Sequence, residues 1–138
     1  MHPSTDTPST EPQLIVTSVG ERHGGIPAAD IVADLRPWFR DPHVSPAMRQ
    51  MTGKDHPVIA SVLGAKNAGR FVRHTFEAAR ALVETGRGTV HVVVACVGGR
   101  HRSPVVADQI VFLARSAGIT AEVVHRDIDK DVLPPRAA

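Results

Sequence analysis

The chain has 138 residues, of which 42% are hydrophobic and 22% charged, a length and composition typical of one globular domain. Its formal net charge of +2 is too small to indicate nucleic-acid binding by itself. One cysteine excludes a disulfide framework and a multi-cysteine zinc site, and no apolar run approaches the roughly 18 residues of a membrane helix. The first residues lack the apolar core of a signal peptide, so we expect a reducing, cytoplasmic setting.

The first half of the chain predicts two strands joined by loops. Residues 1–12 are rich in Ser, Thr and Pro and predict a disordered arm. An apolar, β-branched run predicts a strand over 14–19, a loop with glycines and a proline follows over 21–27, and a short strand is predicted over 31–35. Prolines and glycines recur throughout 36–65, which predicts a long irregular loop, and such loops are usually functional.

The second half predicts a regular alternation of helices and strands. Apolar residues recur at three- and four-residue steps over 67–85 and predict a helix. The apolar run at 90–96 predicts a strand that is buried on both faces. A second helix is predicted with Ser103 as its N-cap and Pro104 at its first position, and a final strand follows over 121–125.

This order of elements predicts one α/β domain. Strands that alternate with helices at this spacing favour a central sheet, largely parallel or mixed, flanked by helices. We expect this ligand-binding domain to span 13–128, followed by a flexible tail over 129–138 that contains Pro134 and Pro135.

The loop between the third predicted strand and the second long helix predicts an anion site. Its two glycines bring backbone amides close to a ligand, and the helix start that follows favours phosphate. An arginine adds a bidentate clamp and a histidine a further donor. The alternative is a tight turn with solvent-facing cations. We call residues 97–103 the phosphate loop and assign to it Val97, Gly98, Gly99, His101, Arg102 and Ser103.

A sharper hypothesis concerns Cys96. The run from Cys96 to Arg102, followed by Ser103, has the Cys-x5-Arg-Ser/Thr spacing of cysteine-dependent phosphatases. In such an enzyme Cys96 is the nucleophile, Arg102 holds the phosphoryl oxygens, and Asp34 or Asp41 is the general acid. The alternative is an inert core cysteine, the commoner role of a single cysteine at a strand end.

A second polar cluster follows the second predicted strand. Asp34 and Arg36 alternate at the strand end, so we expect them to share a face and to pair with each other or with a ligand. A histidine, an arginine and a Thr-Gly turn further along are assigned to the opposite wall of the same site. The alternative is a surface ion pair with ordinary loop residues. The cluster comprises Asp34, Arg36, His43, Arg49, Thr52 and Gly53.

Metal, cofactor and RNA sites receive less support from the sequence. The histidines show no paired metal-ligand spacing, so we expect no metal and no cofactor. A row of arginines at helical spacing predicts a solvated helix face or, alternatively, an RNA-binding stripe. The row consists of Arg70, Arg73, Arg80 and Arg87.

Several blocks together resemble a known family. They are DLR at 34–36 with DPH at 41–43, RQMTGKD at 49–55, CVGGRHRS at 96–103 and HRD at 125–127. In order and spacing they resemble the C-terminal domain of the RapZ/YvcJ family of RNase adapters and nucleotide-binding proteins. The resemblance covers nearly all of residues 14–128. Two features depart from the family: Val97 replaces a frequent Thr, and only three lysines are present.

The resemblance implies a function. In the family this domain is linked to sensing glucosamine-6-phosphate and, in some bacteria, to binding small RNAs and an RNase. The resemblance also implies dimerisation. Family members place a P-loop domain ahead of it; this sequence has no Walker A loop, so nucleotide hydrolysis is not carried over. The positions that the resemblance places around the ligand are Asp34, Arg36, His43, Arg49, Gly98, Gly99, His101 and Arg102.

The leading hypothesis is therefore a binding and sensor module rather than an enzyme. It binds a phosphorylated small metabolite, with the phosphate on the phosphate loop, and acts through a protein or RNA partner. The cysteine phosphatase and the RNA-binding adapter are the two alternatives.

Overall fold

The computed structural model describes residues 11–40 and 46–134. Most of the predicted arm, together with Asp41 and His43, lies outside the described residues. The strands are β1 (Leu14–Gly20), β2 (Ile31–Asp34), β3 (Val90–Cys96) and β4 (Ala121–His125). The helices are α1 (Pro46–Gln50), α2 (His56–Leu63), α3 (Ala68–Val83) and α4 (Arg102–Ser116), and a short 3-10 helix spans Glu21–His23.

The four strands form one parallel sheet in the order β2-β3-β1-β4, which confirms the predicted α/β class. The connections from β2 to β3 and from β3 to β4 run in the same direction across the sheet and contain all four α-helices. Because such crossovers are right-handed, their helices pack on one face. The connection from β1 to β2 runs the other way and therefore crosses the opposite face.

The hydrophobic core lies between the sheet and the helix layer. Val16, Val92 and Val94 pack there against helical residues such as Phe76 and Ile110, all of them buried. The opposite face has a much smaller cluster of Val19, Val93 and Ala95, which is covered by Ile26 and Ala29 of the β1–β2 loop. Only part of this face is covered, and Val32 and Val124 are exposed on it.

The prediction of an irregular loop over 36–65 is wrong in part, because α1 and α2 lie within it. The prolines that suggested a loop stand where helices tolerate them: Pro46 is the first residue of α1, and Pro57 lies in the first turn of α2. A proline there removes only an N–H group that has no partner within the helix. Val58 and Val62 of α2 are buried against the core, which stabilises this short helix.

The predicted start of α4 is also wrong. The helix begins at Arg102, with His101 as its N-cap, so Pro104 is its third residue. The Ser103 side chain does not cap the helix. It is fully buried, and its hydroxyl donates to the Val19 carbonyl at 3.1 Å and lies 3.1 Å from the Cys96 sulfur.

In the part of the chain that the structure describes, no helix combines the length and apolar character needed to cross a bilayer.

The end of β1 lies directly against the phosphate loop. A Cβ atom on Gly20 would lie 2.3 Å from the Gly98 carbonyl carbon, so Gly20→Ala must displace backbone. We expect this substitution to lower the free energy of unfolding by roughly 1–3 kcal/mol, measured by urea denaturation.

Gly69, in the exposed first turn of α3, is the matched control, since a Cβ there would meet nothing within 4 Å. Gly69→Ala should raise stability by up to about 1 kcal/mol through helix propensity. Equal effects of the two substitutions would contradict the proposed close contact.

Candidate functional site

A cavity of about 620 Å³ opens at the carboxyl ends of β1 and β3. These neighbouring strands continue to opposite faces of the sheet, which is the position where parallel α/β sheets form a ligand crevice. The cavity is lined by Arg22 after β1, by Arg49 and Gln50 of α1, by 96–98 and 100–102 after β3, and by 131–134 near the C-terminus.

The charge of the cavity is strongly positive. Four arginines line it (Arg22, Arg49, Arg100 and Arg102), whereas Asp131 is the one carboxylate among the described lining residues. Like charges gathered at one site repel each other, and a bound anion relieves that repulsion. The cavity is therefore suited to an anionic ligand.

The backbone of the phosphate loop adds further donors. The N–H groups of Gly98, Arg100 and Arg102 are bonded to no backbone carbonyl among the described residues. They lie before the first turn of α4 or within it, where the helix dipole also favours negative charge. Gly99 has a φ of +74°, which turns the loop sharply, and its N–H donates to the Cys96 sulfur at 3.2 Å.

The two predicted ligand cations of the loop are buried. His101 and Arg102 are only 7% and 4% exposed, so the alternative of a turn with solvent-facing cations is wrong. The Arg102 guanidinium donates through Nη1 to the Phe39 carbonyl, and its buried Nε has no hydrogen-bond partner in the described chain. Arg102 is thus held at the cavity wall with unused donor capacity.

Arg100 has a different role, which sequence reasoning missed. Its Nε donates to the Met51 carbonyl at 3.0 Å, its Nη2 to the Gln50 carbonyl, and its Nη1 to the Lys130 carbonyl at 3.3 Å. The Arg100 guanidinium therefore joins the phosphate loop to α1 and to the C-terminal chain. These contacts join residues far apart in sequence, so no local sequence pattern predicts them.

Cys96 forms part of the cavity floor but is only 2% exposed. Its sulfur lies 3.1 Å from the Ser103 hydroxyl, which donates to the Val19 carbonyl. The Cys96 sulfur, the Ser103 hydroxyl and the Val19 carbonyl thus form one buried chain of polar contacts. The sulfur is packed within the protein.

The second predicted cluster is only partly brought to the cavity. Asp34 and Arg36 form the expected pair, with Arg36 Nη2 2.9 Å from Asp34 Oδ2, and Arg36 also lies 3.2 Å from Glu21. Hydrogen bonds from Arg36 hold the pKa of Asp34 below its ordinary value, although burial acts in the opposite direction. Neither residue lines the cavity, whereas Arg49 does.

The turn at Thr52 and Gly53 has a local structural role. The Thr52 N–H donates to Asp55 at 2.8 Å, just before α2. The Gly53 N–H donates to the Arg100 carbonyl at 2.8 Å, and a Cβ on Gly53 would lie 2.8 Å from Pro104 Cβ. The turn therefore supports the phosphate loop from behind and does not line the cavity.

A buried carboxylate, Asp127, fastens the carboxyl edge of the sheet. It accepts the Gly20 N–H at 2.7 Å and bonds to Arg126 at 2.8 Å and Lys130 at 2.7 Å. Burial raises the pKa of Asp127, but these hydrogen bonds outweigh it and lower the pKa to about 2. The strand end is thus salt-bridged and lies beside the cavity.

His125 forms a separate polar chain. Its Nδ1 lies 2.6 Å from the Ser18 hydroxyl and its Nε2 2.9 Å from Asp108, which in turn pairs with Lys54 at 2.9 Å. The order Ser-His-Asp resembles a hydrolytic triad, but Ser18 is fully buried and cannot reach a substrate. The chain instead ties β1 and β4 to α4.

The arginine row on α3 lies away from the cavity. Arg80 pairs with Glu84 at 2.8 Å and with Glu77 at 3.8 Å, as expected of a solvated helix face. Arg70 and Arg73 are exposed near the start of the helix.

A family model described as the RapZ C-terminal domain matches residues 12–129. A protein named RNase adapter protein RapZ from Sodalis glossinidius is 36% identical over 121 residues, which cover 85% of this chain and 42% of that protein. Proteins named nucleotide-binding protein from Dictyoglomus turgidum and Thermobifida fusca are 34% and 33% identical, covering 86% and 84% of this chain. The chain spans about two fifths of the length of these curated relatives.

Stability should depend on the ionisation of Asp127. Its folded-state pKa of about 2 lies below the ordinary 3.8, so its contribution is fully present above pH 3.8 and is lost as the pH falls towards 2. The difference corresponds to about 2 kcal/mol. We expect Asp127→Asn to lower the free energy of unfolding at pH 7 and to flatten its decline between pH 4 and 2, measured by urea denaturation. An unchanged acid profile in Asp127→Asn would contradict this role.

Proposed function

Since this chain belongs to the RapZ C-terminal domain family, we propose that it binds a phosphorylated small metabolite as a sensor module. The single observation that carries the proposal is the cavity lined both by four arginines and by residues 97, 98 and 100–102 of the phosphate loop. The phosphate is placed at the N–H groups of Gly98, Arg100 and Arg102, with the Arg49 and Arg102 side chains beside it.

The size and position of the cavity support a small ligand. Its volume of about 620 Å³ lies within the roughly 300–1,000 Å³ of small-molecule sites. Backbone amides bind phosphate through fixed dipoles, and guanidinium groups add charge-assisted hydrogen bonds. The phosphate loop is also held rigidly by Gly20, Gly53 and Arg100, so little conformational freedom is lost when a ligand binds.

The proposed ligand class is an amino-sugar phosphate such as glucosamine-6-phosphate, which the family resemblance implies. Asp34 is bonded to Arg36 and lies outside the cavity. The carboxylate that would face a cationic amine is therefore Asp131, at the C-terminal wall.

The output of the sensor is proposed to pass through a partner. One relative is named an RNase adapter, and by family resemblance we extend an RNase or RNA partner and dimerisation to this chain as proposals. The exposed Arg70 and Arg73 are the residues that an RNA partner would contact first. A cytoplasmic setting suits phosphorylated metabolites and a single free thiol.

Cysteine-dependent phosphatase activity is the second candidate, because Cys96 lies in the cavity and accepts the Gly99 N–H. Two contacts favour binding over hydrolysis. The Cys96 sulfur is buried against the Ser103 hydroxyl, and the Arg102 guanidinium donates to the Phe39 carbonyl. The sulfur is thus neither exposed nor aligned with a free guanidinium.

Binding should depend on the cavity arginines. We expect saturable heat on titration with glucosamine-6-phosphate and no saturable heat with glucosamine. Arg49→Ala and Arg102→Lys should each weaken binding roughly tenfold or more, because each removes a charge-assisted hydrogen bond. Isothermal titration calorimetry makes the measurement, with inorganic phosphate as a second probe.

Arg73→Ala is the matched control, since it removes an exposed arginine on α3 away from the cavity. It should leave affinity unchanged. The proposed function would be contradicted if neither phosphate compound gave saturable heat, or if both cavity variants kept the wild-type affinity. Circular dichroism verifies that each variant is folded.

The two candidate functions differ in turnover. A binding module leaves p-nitrophenyl phosphate unhydrolysed, and Cys96→Ala should retain phosphate binding within about threefold, because the thiol packs below the loop. Hydrolysis above the buffer blank that disappears in Cys96→Ala would establish the phosphatase instead.

A further inference from the structure

We propose that residues 131–134, which we call the C-terminal segment, close over the bound anion through Arg22. Ligand occupancy and the position of this segment are then coupled. The inference rests on the proposed function of the same cavity and extends it, because it adds a binding residue and a movable wall.

Arg22 links the phosphate loop to the C-terminal segment. Its backbone N–H donates to the Val97 carbonyl at 3.1 Å, so the main chain of Arg22 is fixed to the loop. Its guanidinium lines the cavity and donates through Nη1 to the Pro134 carbonyl. A guanidinium has five N–H donors, so Arg22 can hold the segment and an anion at the same time.

The C-terminal segment is anchored firmly at its base and weakly beyond it. Lys130, just before the segment, contacts the buried Asp127 at 2.7 Å, and its carbonyl accepts from Arg100 at 3.3 Å. Beyond it, the polar contacts found in the described chain are exposed: Arg22 to Pro134, and His23 Nε2 to the Asp131 carbonyl at 3.1 Å. Exposed bonds of this kind open at low cost.

The segment also supplies the outer wall of the cavity. Val132 and Leu133 are half-buried there and Asp131 is exposed. When the segment swings away, a bound ligand loses this wall, and Arg22 loses the carbonyl that holds it over the cavity. The ligand therefore binds the closed form more tightly, and by linkage it must stabilise closure.

The test is limited proteolysis of the full chain with trypsin, which cuts after Lys130 only when the segment opens far enough to release Lys130 from Asp127. Release of the peptide that begins at Asp131 is followed by mass spectrometry, with inorganic phosphate or glucosamine-6-phosphate as probe. A saturating probe should slow this cleavage about fivefold or more. Cleavage after Arg87, in an exposed turn, is the internal control and should be unaffected.

Two variants separate the coupling from general stabilisation. Arg22→Ala should abolish the protection at Lys130 and weaken phosphate binding roughly tenfold. Asp129→Ala changes an exposed neighbour that does not line the cavity, and should preserve both protection and affinity.

The outcomes distinguish this inference from the proposed function. If the wild type binds the probe calorimetrically but cleavage after Lys130 is unchanged or accelerated, the closing segment is wrong and the binding site stands. Retained protection in Arg22→Ala also overturns the role of Arg22. If no phosphate probe binds, both proposals fail together.

Discussion

The carboxylate of Asp127 holds three parts of the chain together at the carboxyl edge of the sheet. The carboxylate accepts the Gly20 N–H at the end of β1 and binds Lys130. The Asp127 Cβ lies so close to Gly99 that a Cβ on Gly99 would be 2.8 Å from it. Any side chain at Gly20 or Gly99 would collide with these neighbours. The close approach of β1, the phosphate loop and the C-terminal chain therefore requires two glycines and one ionised acid, and the cavity forms beside that junction.

The topology explains why the cavity is cationic and lies where it does. The β1–β2 and β3–β4 connections leave neighbouring strands towards opposite faces of the sheet, so a crevice opens between them. One connection contributes Arg22 and the other contributes Arg100 and Arg102. The ten-residue span between β1 and β2 contains only a 3-10 helix, which leaves room for the C-terminal segment to reach Arg22.

Local signals in the sequence were enough to predict the sheet, the long helices and the position of the loop between β3 and α4. Strands with continuous apolar runs and a helix with clear periodicity are recognisable from the local sequence. The pairing of Asp34 with Arg36 is also local, because the two residues are near neighbours. The short helices α1 and α2 were missed because their prolines, which suggested a loop, lie in the first turn of each helix, where proline is tolerated. Arg22, Arg100 and the C-terminal segment were missed for another reason: their contacts join residues distant in sequence, which only the folded topology brings together.

The proposed division between a rigid and a movable part would account for selectivity at the site. The phosphate loop is fixed by Gly20, Gly53 and the carbonyl contacts of Arg100, so its amides are preorganised for a phosphate whatever the rest of the ligand is. The C-terminal wall is held by exposed bonds and carries the single carboxylate and the apolar side chains that the described cavity offers from that side. Under the two proposals, discrimination among phosphorylated ligands falls to the wall, because a ligand that contacts the wall poorly gains little from closure. If both proposals hold, the chain uses its rigid half for affinity and its movable half to report which ligand is bound.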